Sequence, residues 1–491
     1  MQRFAIVAAG MFGRRDRPPQ EACSLSTRFE TLGNATIQVF QDGHPVLATD
    51  PWLVGTCYFG SWALDHPLTD QQIANVVNSD HIWISHGHPD HLHEPSLDLL
   101  PPGKRFLIGD HYDDDIRTFL LAKGFEVTVL PYRQWHALGP DLRVMCLDNM
   151  NQDSILVVAA GDSLLLDLND SPVAGEVGFL KRLIARHPND KTYCFALCSV
   201  DADMFNFVDQ GGHSLVRNPD DRKPPEVWRA GRLAKRLGIG NYCCSSSQHV
   251  YARSDVAWAN AHRITWGDMR ENWTQPDVRL VPPFCTVDLA DGKITENHPS
   301  HEPAPRQFTN TTADDDWQDR LTEAEWREVT AFFGKFELLR RHMDYLDICV
   351  GGETRRLAIG KAGRREARQR GAGFVVPRHS LMQTVAGGYF DDLLIGNFMQ
   401  VSVTNMRLYP HFTPLVAKIG GNAKVYTRPQ YGRFLARYFR RNPIGSLAYM
   451  LDVYLTFMVL PTLGRIARSL KMRSQLERLY HLILGDPVRR S

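Results

Sequence analysis

Four side chains able to ligate a metal fall within six residues at His86-Gly87-His88-Pro89-Asp90-His91. Imidazole and carboxylate donors suit zinc, iron or manganese, and two ions can sit a few ångströms apart when neighbouring ligands point different ways. In that arrangement His86 and His88 serve one ion while Asp90 and His91 serve its neighbour. A polar surface loop rich in histidine is the plain alternative. The order, however, follows directly on the short apolar run Ile82-Trp83-Ile84-Ser85. Such a run reads as a buried strand that delivers the cluster into a loop. Pro89 helps keep that loop out of regular structure, because its nitrogen has no hydrogen to donate.

The elements that must hold this loop lie upstream. Thr31–Phe40 and Pro45–Trp52 flank the turn Gln41-Asp42-Gly43, a hairpin signal, and the second run ends in Asp50. The histidine string and these surroundings resemble the signature of the metallo-β-lactamase fold superfamily. Asp50-Pro51-Trp52-Leu53 and the tryptophan-containing stretch after it resemble one branch in particular. That branch is the bacterial relatives of the metallo-β-lactamase-like part of CMP-N-acetylneuraminate hydroxylase; the N-acylphosphatidylethanolamine phospholipase D group is more distant. The resemblance covers residues 28–290 and implies an α/β fold, the αββα sandwich, with metals in loops at one edge.

The resemblance also implies roles. Asp50 would orient a ligand histidine, where a bare reading makes it a turn aspartate before Pro51. Asp170, in Asp167-Leu168-Asn169-Asp170 after an apolar strand, stands where relatives carry a metal-bridging aspartate. His249 occupies the late position of a last histidine, although a lone histidine is often structural. His93 reads as an orienting or substrate contact. One region departs from the superfamily pattern: Asp148–Ile155 has no histidine where another ligand is expected. Asp153 or Asn151 can approach a metal there, or Asp153 can cap the turn. One well-held ion with a weaker second site therefore stands beside a full pair.

Strands and helices alternate further on. Strands are expected at 105–109, 127–130, 142–147, 154–159, 163–167, 193–197 and 241–245, with helices at 113–123, 177–185 and 226–237. The 491 residues exceed a usual single domain, while 43% hydrophobic and 23% charged residues are ordinary for a globular chain. A net charge of +1 argues against a protein that coats nucleic acid. Nine scattered cysteines without a spaced framework suggest reduced thiols in a cytoplasm. The expected organisation is a leader at 1–27, a catalytic domain at 28–290, a linker at 291–320 and a mainly helical C-terminal domain at 321–491. Thr322 and Glu325 resemble a capping box at its start.

Asp201, Asp203, Asp209 and His213 fall in a Gly-containing irregular stretch that reads as a pocket rim or as a solvent loop. Residues 444–463 are nearly all apolar but carry Asp452, with arginines on both flanks. They suit a buried or dimer-forming helix first, and an interfacial helix at the inner membrane face second.

The function expected is metal-dependent hydrolysis of a small molecule, conceivably lipid-linked, at a mono- or dinuclear zinc or iron site; manganese fits the same donors. His86, His88, Asp90, His91, Asp153, Asp170 and His249 are the candidate ligands, with Asp90 guiding the proton of the attacking water. The alternative is an iron-dependent oxygenase. The hydroxylase it resembles carries paired Cys-x-His elements, which are lacking in this sequence, so electrons would come from a separate partner protein.

Overall fold

A computed structural model describes residues 26–199, 207–208, 219–297, 315–360, 365–455 and 459. Residues 1–25 of the expected leader, most of the linker, Asp201, Asp203, Asp209 and His213, and nearly all of the chain after Leu455 lie outside the described residues, while Thr27, expected in the leader, opens a strand.

The centre of the molecule is two mixed sheets face to face. The first has eight strands in the order Ile294–Glu296, Cys285–Asp288, Thr27–Thr31, Ile37–Gln41, His44–Thr49, His81–Ile84, Arg105–Gly109 and Glu126–Leu130. The second has seven, in the order Arg279–Val281, Asn241–Ser245, Thr192–Leu197, Ser163–Asn169, Ser154–Ala160, Leu142–Asp148 and Trp135–Gly139. Phe29, Val39, Leu47, Trp83 and Leu107 from the first sheet pack on Val144, Leu156, Leu165, Phe195 and Cys243 from the second. Outside the first sheet, Ile82, Ile84, Phe106 and Ile108 are covered by Val76 of helix Asp70–Asn78 and Leu120 of helix Asp115–Ala122. Outside the second, Leu164, Leu166, Cys194 and Tyr242 meet Leu180 and Leu183 of helix Val177–Ile184 and Val227, Ala230 and Ala234 of helix Pro219–Leu237. The result is an αββα sandwich, the layering that the resemblance implies.

The apolar run before the histidine loop lacks alternation for a physical reason. Trp83 points between the sheets while Ile82 and Ile84 point to the helices, so both faces are buried. Parallel neighbours on each side, His44–Thr49 and Arg105–Gly109, hold the strand in the sheet's interior. The strand ends at Ile84, and the chain leaves the sheet at Ser85 as the histidine loop.

After Leu321 the chain is mainly helical around a four-stranded sheet, in the order Glu353–Ala358, Tyr345–Val350, Gly371–Val375 and Gln400–Thr404. Its core is aromatic: Trp326, Phe332, Phe333, Phe336, Phe374, Phe390 and Phe412. The expected capping box is formed, with Glu325 N–H donating to Thr322 Oγ1 at 3.3 Å and Thr322 N–H donating to Glu325 Oε2 at 2.8 Å. Helix Arg428–Arg441 lies against the sandwich, its Phe434 and Tyr438 packing with Met150. Arg437 and Arg441 pair with Asp110, and Arg441 also reaches Asp148. No helix among the described residues is long and apolar enough to cross a membrane.

Candidate metal centre

The centre is built from Asp50 outward. This fully buried carboxylate accepts from Ser85 N–H at 2.8 Å, Ser85 Oγ at 2.7 Å and Asn169 Nδ2 at 2.5 Å, and lies 3.1 Å from His91 Nδ1. Ser85 Oγ is 2.9 Å from His86 Nδ1. Its own proton goes to Asp50, so His86 Nδ1–H donates to the hydroxyl. Both histidines are thus anchored through Nδ1 and turn Nε2 inward, the orientation a metal ligand needs; on His91 an ion would take the place of the Nε2 proton that its carboxylate neighbours favour. Ser246 Oγ holds Asn169 from the other side at 2.8 Å.

Asp170 closes the cluster. Its Oδ2 lies 3.6 Å from His91 Nε2 and 4.0 Å from His86 Nε2. One ligand atom from each of His86, His91 and Asp170 falls within 4.8 Å of the others. Donors on a tetrahedron with bonds of about 2.1 Å are spaced by roughly 3.4 Å, close to the 3.6 and 4.0 Å that separate Asp170 Oδ2 from the two imidazoles. His91 Nε2 and Asp170 Oδ1 are buried without a hydrogen-bond partner, as atoms awaiting a cation would be. The residues fit one ion.

Asp90 stands at the edge of this cluster. Its Oδ2 is 3.2 Å from His91 Nε2 and accepts from Asn34 Nδ2 at 3.0 Å, while Tyr58 OH donates to Oδ1 at 2.5 Å. Burial works against the Asp90 carboxylate, but His91 and the Tyr58 hydroxyl outweigh it and hold it below the usual carboxylate range. Burial likewise opposes the charged form of His91, and Asp90 and Asp50 reverse that. His86 goes the other way: burial first, then His91 and His88, keep it neutral.

The remaining candidates are placed differently. His88 Nε2 faces Asp391 Oδ2 at 3.3 Å, and Asp153 Oδ2 faces Lys418 Nζ at 3.6 Å. His88 Nδ1 stays 2.9 Å from His86 Nε2. His249, on the short strand His249–Tyr251, stacks on Trp62 at 3.5 Å between ring centroids. Burial and then Arg263 push its pKa down to about 3, so it is a neutral imidazole, and its buried Nδ1 has no hydrogen-bond partner. His93 bonds Ser96 Oγ at 2.7 Å and Thr56 O at 3.2 Å. It lines a cavity of about 660 Å³ that shares Gly87 and Pro89 with the histidine loop and is lined on the C-terminal side by His379, Tyr389 and Asp392.

Several site residues escape sequence reading. Tyr58 and Asn34 look like ordinary core and turn residues. Asp391 and Asp392 belong to the stretch Tyr389–Phe398, which carries no chemical signature. Burial, together with Asp391 and Asp90 and against His88, raises the pKa of Asp392 to about 7. Lys418 had one available signal: it is a lone charge inside the apolar run Leu415-Val416-Ala417-Lys418-Ile419.

No family model matches the chain. It is 34% identical over 166 residues to the cytidine monophosphate-N-acetylneuraminic acid hydroxylase of Asterias rubens, covering 32% of this chain and 25% of that protein. The chain thus spans about a quarter of the length of that curated relative. Among solved structures it aligns with Igni18, a metallo hydrolase from Ignicoccus hospitalis, at a TM-score of 0.35 and 14% identity, over 54% of this chain and 98% of that one. It also aligns with CmlA, a diiron β-hydroxylase from Streptomyces venezuelae, at a TM-score of 0.34 and 14% identity, over 53% of this chain and 54% of that one.

Proposed function

We propose that this chain is a metal-dependent hydrolase of a small-molecule substrate, with its ion held by His86, His91 and Asp170. The observation that carries the reading is the convergence of two Nδ1-anchored imidazoles and a carboxylate, one ligand atom of each lying within 4.8 Å of the others. Two nitrogens and an oxygen suit zinc, and iron or manganese accept the same set. A bound ion would lower the pKa of a coordinated water toward neutrality and polarise the bond under attack.

The chain's own residues supply the rest. Asp50 and Ser85 lock the imidazole rings. Asp90, fixed by Tyr58 and Asn34 and kept ionised, is the acceptor for the proton of the attacking water. The cavity beside the histidine loop is large enough for a small organic substrate.

A second reading is favoured by the similarity to the hydroxylase of Asterias rubens: the same donors would hold iron for oxygenation, with electrons from a separate redox protein. Isotope labelling separates the two. The protein is assayed as isolated against nitrophenyl esters and phosphodiesters in ¹⁸O-labelled water. Hydrolysis that incorporates water oxygen and disappears in His91→Ala is expected. Oxygen uptake driven by an added reductant, with label entering only from O₂, would replace this reading with the second.

A further inference from the structure

We propose that Lys418 is a resident cation standing where the second ion of a two-ion centre would be held, so that this chain takes up a single metal ion. The inference rests on the metal-centre reading above and concerns the half of the constellation that His88 begins.

That half is already engaged. Lys418 Nζ lies 3.6 Å from Asp153 Oδ2, with side chains 16% and 3% exposed. His88 Nε2 lies 3.3 Å from Asp391 Oδ2, both nearly buried. Asp153 is braced from behind, since Asn151 Nδ2 donates to its Oδ2 at 3.3 Å and Tyr449 OH donates to Asn151 Oδ1 at 2.5 Å. Asp153, Asp391 and Asp170 all exert a favourable field on the Lys418 ammonium. An ammonium is a compact point charge with three donors, a workable stand-in for a small cation among carboxylates.

The lysine has little freedom to leave. It sits in the helical segment Pro414–Gly421, in which Val416 and Ala417 before it and Gly420 and Gly421 after it are buried. Gly420 packs so closely on the Phe336 ring that a side chain there would collide with it. With its neighbours buried, the side chain is 16% exposed and its charged head reaches Asp153. A second divalent ion would have to displace that head or sit against a like charge in a poorly solvated place.

The test is zinc stoichiometry of the full chain, read by titration calorimetry with zinc chloride and by elemental analysis after gel filtration. The wild type should take up about one ion per chain, and Lys418→Met and Lys418→Gln about two, the second bound more weakly. Two ions in the wild type, or a single ion in both uncharged variants, would overturn the proposal. So would loss of the ion in them, which would make Lys418 part of the ligand set. If neither variant folds, Asp153→Asn decides: the wild-type count of about one should persist, and its loss would make Asp153 a ligand and sink the idea. Failure of the underlying reading looks different, because the wild type itself would then bind no zinc.

Discussion

Asp50 carries more of the site than any ligand, although it touches no metal position itself. Its four contacts fix the tautomer of His91 directly and that of His86 through Ser85. Asp50→Asn places an amide N–H against donors that expect an acceptor. Zinc affinity should fall about 10- to 100-fold, the usual cost of losing an outer partner of a ligand histidine. Calorimetric titration showing unchanged affinity would make Asp50 a bystander. His111 gives a second residue-scale test. Burial, with Arg437 and Arg441 adding to it and Asp110 pulling back, lowers its pKa to about 4. The unfolded imidazole takes up its proton near 6.5 and the folded one only near 4. Stability fully present above pH 6.5 is therefore lost as pH falls toward 4, by about 3 kcal/mol. Urea unfolding of the ion-free protein at pH 7 and pH 5 should show the loss, and His111→Gln should lessen it, with His86 and His249 supplying what remains.

Among the elements, helix Arg428–Arg441 is the one whose removal should tell most. Arg441 bonds Asp148, a fully buried carboxylate, and also Asp110. Arg441→Ala leaves Asp148 buried without its cation, a change that typically costs about 3–5 kcal/mol. A melting temperature within a degree of wild type would contradict this. Element by element, the sandwich was legible because its strands and covering helices have clear periods: Ser154–Ala160, Ser163–Asn169 and Val177–Ile184 stand within a residue or two of their expected places. The helix expected at Glu226 instead begins at Pro219. Pro224 and Pro225 inside it read as a stop signal, since each removes a helical donor. The strand Trp135–Gly139 was missed because its half-exposed residues lack an apolar face.

For the whole molecule, the main lesson is that the C-terminal part enters the centre. Asp391 meets His88, Lys418 meets Asp153, and Tyr449 braces Asn151. The histidine loop stands out in the sequence because its candidate donors are neighbours there. Their partners come from distant segments, where only Lys418, a lone charge in an apolar run, leaves a local signal. Helix Pro443–Tyr454 links this interior to the outside: Ile444, Leu447, Leu451 and Tyr454 are exposed at helical spacing while Tyr449 reaches inward. An interfacial role for it predicts that the wild type sediments with vesicles rich in phosphatidylserine and that Leu447→Glu/Leu451→Glu does not, with metal content kept. A wild type that stays in the supernatant removes the membrane role.

The central claim is that His86, His91 and Asp170 hold the ion, and elemental analysis tests it most directly. The full chain is purified without added metal beside His91→Ala and Asp170→Ala, with folding checked by circular dichroism. The account predicts about one ion per wild-type chain and at least a tenfold lower content in each folded variant. A wild type free of metal, or folded variants that keep their full content, would contradict it.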